Sequence, residues 1–289
     1  VLLSRRDTRC AVLGARVSTL ALLHSRFRVH LVENERVVCD DALALRAFER
    51  KGQLSRAVAT LVIEGRARLR VGGAERQLGP GDVALLPSKL DVEMRQEAAP
   101  RYVAIVVEWE PGVLFDARPA AFRVTSSVSL SSASEAADRL RVGDPRVVET
   151  IPTLFSEAGL VARPWQPEPD ESGRFRLVSH ALDRALSFLD AQPMSVDLER
   201  ALGLSARQVN RVVADFNARY GFNAGTWRDA RNRRRLLVGA ALLTHADATV
   251  AQVARAVGYR SETALCRAFA NAGLPTPGSI ASARKGPVS

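Results

Sequence analysis

Cysteine is scarce in this chain. Cys10, Cys39 and Cys266 are three in number and far apart. An odd, dispersed set offers neither a disulfide framework nor a zinc site, and it suits a reducing compartment. Histidine is nearly as scarce. His24 and His30 are not at His-x-His spacing, and His180 and His245 lie far from both. No catalytic metal centre and no cofactor is expected from them. Long apolar runs are absent too, which excludes a membrane-spanning helix and membrane partners of that kind. The apolar stretch from Val17 to Leu23 is bounded by Arg16 and Arg26, with no clean cleavage site after it. It does not read as a signal peptide, and a cytoplasmic, nucleoid-associated location is expected.

What the chain does have is length, positive charge and a repeated pattern. At 289 residues it can bury two cores. The net charge of +10 is unevenly spread. Residues 175–289 hold 16 Arg and Lys against 8 Asp and Glu, leaving 25 against 23 for the rest. A general arginine bias would not concentrate the excess in one segment. A basic segment of this kind fits a polyanionic partner.

That same segment contains two similar units. The first runs from Val196 to Arg211, the second from Val250 to Arg267. In each, an apolar-stepped helix stops at a glycine, Gly203 or Gly258, where the chain must turn and only Gly reaches positive φ without a clash. Leu204 and Tyr259 follow and can tuck under the turn. Ser205 with Gln208, and Thr249 with Gln252, have capping-box spacing, and Ser261 can cap the last helix of the second unit. The helical period puts Val209, Val212, Val213 and Phe216 on one face of the first unit's second helix. Arg207 and Arg211 lie opposite, with Asn210 on the flank. In the second unit Leu265, Ala268 and Phe269 face inward, while Thr263, Arg267 and Asn271 face out. Two helix-turn-helix units with matched spacing predict sequence-specific binding of double-stranded DNA. The candidate contact residues are Ala206, Arg207, Gln208, Asn210 and Arg211 in the first unit. In the second they are Arg260, Ser261, Glu262, Thr263 and Arg267. Arg can bond bidentately to guanine, and Asn or Gln to adenine.

Residues from about 180 to 280 resemble the DNA-binding domain of the AraC/XylS family of bacterial transcription regulators. The resemblance is carried by Arg235-Leu236, Gly239 and Leu242-Leu243, then by Val250, Val253-Ala254 and Val257-Gly258-Tyr259. Arg267, Phe269 and Thr276-Pro277 complete it. It implies a linker helix, about 226–243, that fixes two recognition helices against adjacent major-groove segments. It also implies RNA polymerase as a partner. The departures are local: Gly239 stands for the usual Ala, and Glu199 for a small residue. Leu265 and Cys266 replace an aromatic and a Ser. Ala270-Asn271-Ala272 replaces a basic stretch, and Gly273-Leu274-Pro275 an aromatic-Gly pair. The first unit is therefore expected to contribute more affinity than the second.

The first half reads as short strands: 27–32, 57–64, 66–71, 83–87 and 102–107, with a hairpin turn at Gly72-Gly73 and a turn at Pro80-Gly81-Asp82. Glu64-Gly65 to Gly72-Gly73, followed by Leu78 to Pro87, resembles a cupin barrel, an effector-binding domain in one branch of the same regulators. No His lies between Glu64 and Val107, so the metal set of cupin enzymes is missing. A small-molecule effector in the barrel is the expected ligand, with Arg46, Arg56, Arg68 or Arg70 as carboxylate partners, or merely exposed strand arginines. Glu135–Leu140 and the stripe Val147, Val148, Ile151, Leu154 and Phe155 read as helices that either cover the barrel or pair two subunits as a homodimer. The expected fold is α+β: a cupin-like barrel with accessory helices over 1–162, a Pro-rich linker over 163–174, and an all-α domain of two helix-turn-helix subdomains over 175–289. The rivals are a cupin-type enzyme with a helical appendage and an interaction protein whose second unit no longer reads DNA.

Overall fold

The computed structural model describes residues 1–40, 56–87, 92–98, 100–126, 128–164, 173–222 and 224–283. Its first half is antiparallel β. Eleven strands are present among the described residues: β1 (Leu2–Cys10), β2 (Ala15–Leu23), β3 (Phe27–Glu35), β4 (Val38–Asp40), β5 (Ala57–Glu64), β6 (Arg66–Val71), β7 (Ala74–Leu78), β8 (Val83–Leu86), β9 (Val92–Glu97), β10 (Arg101–Trp109) and β11 (Arg123–Thr125). Seven form one sheet in the order β1-β2-β3-β10-β5-β8-β11, and four form a second, β4-β9-β6-β7. Val58, Val62, Leu69, Met94 and Tyr102 fill the space between the sheets. The opposite face of the larger sheet packs Phe27, Leu31, Ile105 and Trp109 against two helices, α1 (Leu130–Val142) and α2 (Val147–Ser156). The stripe read in the sequence as helical is therefore a cover for the sheet: Val147, Val148, Ile151, Leu154 and Phe155 are all buried there. Pro152 lies inside α2.

The strand expectations over 57–64 and 66–71 coincide with β5 and β6. Val71 pairs with Ala74, so Gly72-Gly73 is the two-residue hairpin loop. Both glycines have positive φ, 54° and 84°, the combination that matches the strand twist. Strands β1 and β2 were not read from the sequence. They form a long hairpin at the edge of the larger sheet, in register from Leu2↔Leu23 to Cys10↔Ala15.

The second half is all helical: α3 (Gly173–Ser187), α4 (Ser195–Leu202), α5 (Ala206–Tyr220), α6 (Trp227–Leu242), α7 (Val250–Ala256), α8 (Glu262–Asn271) and α9 (Pro277–Ala283). The chain is thus α+β with a β-rich first half and a helical second half, as expected. Most of the stretch expected to be the Pro-rich linker, and Arg46, lie outside the described residues.

The two halves share their apolar cores. One face of the β1–β2 hairpin sends Leu2, Ala21 and Leu23 into the cluster of the first helix-turn-helix unit, with Leu182, Val213, Phe216 and Trp227. Farther along the same hairpin, Cys10, Ala15 and Val17 join the cluster of the second unit, with Leu242, Val257, Leu265 and Phe269. Between these apolar ends lies a polar middle formed by Ser4, Arg6, Thr8 and Thr19.

Candidate nucleic-acid interface

Each candidate recognition helix is delimited by its own residues. Gly203 ends α4 at φ 65°, and its N–H reaches Glu199 O. Ser205 then starts α5. Its N–H donates to Gln208 Oε1 at 2.9 Å, closing the capping box. Thr249 and Gln252 close the same box on α7, with distances of 3.0 and 3.2 Å. Ser261 Oγ accepts from Ala264 N–H at 3.2 Å and starts α8. These bonds satisfy donors that a helix start otherwise leaves open.

Gly258 does more than turn the chain. Its φ is +79°, and a Cβ there would stand 2.1 Å from Leu189 O and 2.8 Å from Arg235 Nη2. The second unit's turn thus lies directly against the short helix Leu189–Ala191 that follows α3. Arg235 lies over the Tyr259 ring at 5.4 Å. Burial, followed by the charge of Arg231, holds its guanidinium below the usual arginine range.

The linker helix α6 runs unbroken from Trp227 to Leu242 between Thr226 and Leu243. Leu236 and Leu243 belong to the second unit's core, with Leu237 and Ala240 packed on its edge. The apolar spacing of these four would suit contact with both subdomains, but the cluster they join is the second unit's. Trp227, the first residue of the helix, makes the apolar contact with the first unit.

All ten candidate contact residues are exposed: Ala206, Arg207, Gln208, Asn210 and Arg211 on α5, and Arg260, Ser261, Glu262, Thr263 and Arg267 at α8. They form two groups, one on each unit, and the residues beneath them are core: Val209, Val212, Val213, Leu265 and Phe269. Gln208 and Ser261 are engaged in caps, which leaves less of their bonding capacity for a partner. Arg207, Arg211, Arg260 and Arg267 have no carboxylate partner among the described residues. The β half handles its arginines differently. There Arg101 and Arg141 pair with buried Glu33 at 2.8 and 2.9 Å, and Arg16 pairs with Asp7 at 2.8 Å.

Sequence reasoning missed how the helical half is held. Helix α3 covers the free edge of β1. Ser179 Oγ donates to Leu3 O at 3.3 Å, Asp183 Oδ2 accepts from Arg5 N–H at 2.7 Å, and Ser187 Oγ accepts from Asp7 N–H at 3.0 Å. Four helical residues rise about 6 Å and two strand residues about 6.6 Å, so the two ladders keep step. From α6, Arg234 enters the polar middle of the hairpin. Its guanidinium donates to Thr8 Oγ1 at 3.2 Å, Val17 O at 3.0 Å and Arg6 O at 3.3 Å. The only sequence signal was the run of arginines at 231, 233, 234 and 235.

The arginines proposed for an effector in the barrel have other roles where they are described. Arg56 is buried and donates to Ser25 O at 2.5 Å. Arg68 and Arg70 are exposed and pair with Glu97 and Glu93 on the neighbouring strand. Among the described residues no group of three or more His, Cys, Asp or Glu could hold a metal ion. His24 stacks on Phe27, His30 pairs with Glu108 at 3.0 Å, and His245 Nδ1 accepts from Asp247 N–H at 3.1 Å. No helix among the described residues is long and apolar enough to cross a membrane.

No family model and no curated protein matches the chain. Solved structures resemble it at low identity. The AraC-like transcriptional activator CuxR aligns over 78% of this chain and 81% of its own, at 15% identity and a TM-score of 0.34. ToxT from Vibrio cholerae O395 aligns over 91% and 99%, at 12% identity and 0.36. A glyoxylate-induced protein from Pseudomonas aeruginosa aligns over 39% of this chain and 43% of its own, at 14% identity and 0.31.

Proposed function

We propose that the chain is a sequence-specific regulator of transcription, of the AraC type, that binds double-stranded DNA through α5 and α8. The observation that carries this reading is the pair of capped helices, each with exposed arginines on it or at its start that lack carboxylate partners among the described residues. An unpaired surface guanidinium can bond a phosphate or the O6/N7 edge of guanine without first breaking an ion pair. The positive excess in the same half would supply affinity that falls with salt.

Within this reading Arg207, Asn210 and Arg211 contact DNA from the first unit, and Arg260, Thr263 and Arg267 from the second. Ala206, Gln208, Ser261 and Glu262 lie at the same helix starts and complete the surface. The continuous α6 holds the two recognition helices in successive major-groove segments, about 34 Å apart, one DNA turn. The β half and the helical half act as the two proposed domains, with a cupin-like first domain that senses a small molecule. RNA polymerase and a second copy of the chain are the further partners in this proposal. Selection of bound sequences from a random duplex pool tests it. An enriched motif supports the reading, and an unenriched pool rejects it.

A further inference from the structure

Helix α6 carries a stripe of arginines that neither recognition surface includes. Arg228, Arg231 and Arg235 stand three and four residues apart, so they share one face of the helix. Arg234 lies off that face, in the polar middle of the hairpin. Arg231 crosses to the first unit, where it donates to Pro193 O at 2.8 Å. Arg235 lies over the Tyr259 ring of the second unit at 5.4 Å. Arg228 is exposed. Arg235 is only 8% exposed, and the Nε atoms of Arg231 and Arg235 are buried without a partner. Among the described residues no carboxylate pairs with any of the three. The acids of the adjoining segments are engaged. Asp229 closes the box at Thr226, Asp197 holds the Met194 N–H at 2.8 Å, and Asp190 holds the Ala191 N–H at 3.0 Å. Burial pushes the Tyr259 phenol up, so it stays neutral and offers no counter-charge. Burial first, then the charge of Arg228, holds Arg231 below the usual arginine range, and Arg231 acts on Arg235 in the same way. Cations crowded together against their own repulsion, with no anion inside the fold, are matched to an anion from outside.

We propose that the stripe Arg228, Arg231 and Arg235 binds backbone phosphates of the duplex between the two major-groove segments. The proposal rests on the reading of α5 and α8 as recognition helices and adds a third contact region to it. Both ends of the stripe adjoin parts that this reading brings to DNA. Pro193 and Met194 lead into α4, and the first helix of a helix-turn-helix unit crosses the backbone. Tyr259 directly precedes Arg260 and Ser261 at the start of α8. Two successive major-groove segments on one face of a duplex are separated by a minor groove, whose phosphate walls face the protein. Seven residues of helix rise about 10 Å, against about 3.4 Å per phosphate along one strand, so the stripe covers two or three phosphates. Exposed Arg228 meets the backbone outright, and the two arginines behind it add positive field and donors. Such contacts fix register and strengthen binding without reading sequence. The linker helix is then a contact surface as well as a spacer.

Titrations of the full chain on its selected duplex, from about 50 to 200 mM salt, test the stripe. Arg228→Gln should reduce the slope of log affinity against log salt by about 1 and leave the selected motif unchanged. The advantage of the wild type over this variant should then shrink about 3.5-fold across that range. Arg231→Gln should act in the same direction. Because Arg231 also braces Pro193, the exposed Arg228 is the deciding position. Arg76→Gln removes the same charge from β7 in the second sheet and should keep the wild-type slope. Uncharged methylphosphonate linkages, placed between the two major-groove segments, should weaken the wild type more than Arg228→Gln. The stripe is overturned if Arg228→Gln keeps the wild-type slope, or if Arg76→Gln lowers it equally. A motif altered at the intervening base pairs would also overturn it, since that is reading of base edges. A wild-type chain that selects no motif, yet loses salt slope on random duplex in Arg228→Gln, would uphold the stripe and overturn the regulator reading.

Discussion

Arg211 is exposed on α5, lies on the same face as Arg207, and has no carboxylate partner among the described residues. Arg267 occupies the matching place on α8, but that helix continues into Ala270, Asn271 and Ala272, with no further cation. Arg211→Ala should therefore cost more specific affinity than Arg267→Ala. Losing one good base contact costs about 1–3 kcal/mol. Titration of both variants on one operator at fixed salt decides it, and a larger loss for Arg267→Ala would reverse the ranking of the units. Two glycines give a second residue-level contrast. At Gly239 an added Cβ would meet Phe269 and Val257 at 3.6–3.7 Å, an ordinary packing distance, in a position with helical φ. Gly239→Ala should stabilise the protein by about 0.5–1 kcal/mol. At Gly258 the added atom would collide with the Leu189 carbonyl, and φ is positive. Gly258→Ala should destabilise by more than Gly239→Ala gains. Urea denaturation of the pair checks both signs.

At the scale of elements, the parts legible in the sequence were those whose signals are local. Caps, turn glycines and a 3.6-residue period act within a dozen residues, and they gave α4, α5, α7 and α8, while the extent of α6 came from the family resemblance. An apolar run gave β5, and alternation with a Gly-Gly turn gave β6 and the β6–β7 hairpin, in the same way. The β1–β2 hairpin was not legible. Ser4, Arg6 and Thr8 look like a solvent face, yet they are largely withdrawn from water by α3 and α6. Their burial depends on partners some 170 to 230 residues away, which no local pattern reports. The exposure of Arg207, Asn210, Arg211, Thr263 and Arg267 agrees with the helical wheel, but the role of Arg234 depended on the same long-range docking. Asp183 on α3 is the centre of that docking, holding Ser4 Oγ and the Arg5 N–H. Asp183→Ala leaves both donors of the β1 edge without their acceptor and Arg6 without its ion pair. It should cost about 1–3 kcal/mol. Asp183→Asn, which keeps an acceptor, should cost less. Equal stability of the Ala variant and the wild type in a melt would show that the edge is not held this way.

Taken as a whole, the molecule is held together across its two halves. The apolar clusters cross from the β half into both helix-turn-helix units, and α6 is pinned to the hairpin by Arg234, while Thr244, just past its C-terminal end, accepts from Val38 N–H of β4 at 2.7 Å. Both recognition helices keep their outward faces free of this docking. Such an arrangement lets a change in the β half alter how the two proposed DNA-binding surfaces are disposed, without covering either one. The central claim, that both surfaces read one duplex together, is tested most directly by footprinting the motif selected by the full chain. The account expects one chain to protect an asymmetric site of about two DNA turns, with contacts in two successive major-groove segments on one face. Arg211→Ala should clear one segment and Arg267→Ala the other. A protected site of a single turn, or one lost equally throughout with either variant, would contradict it.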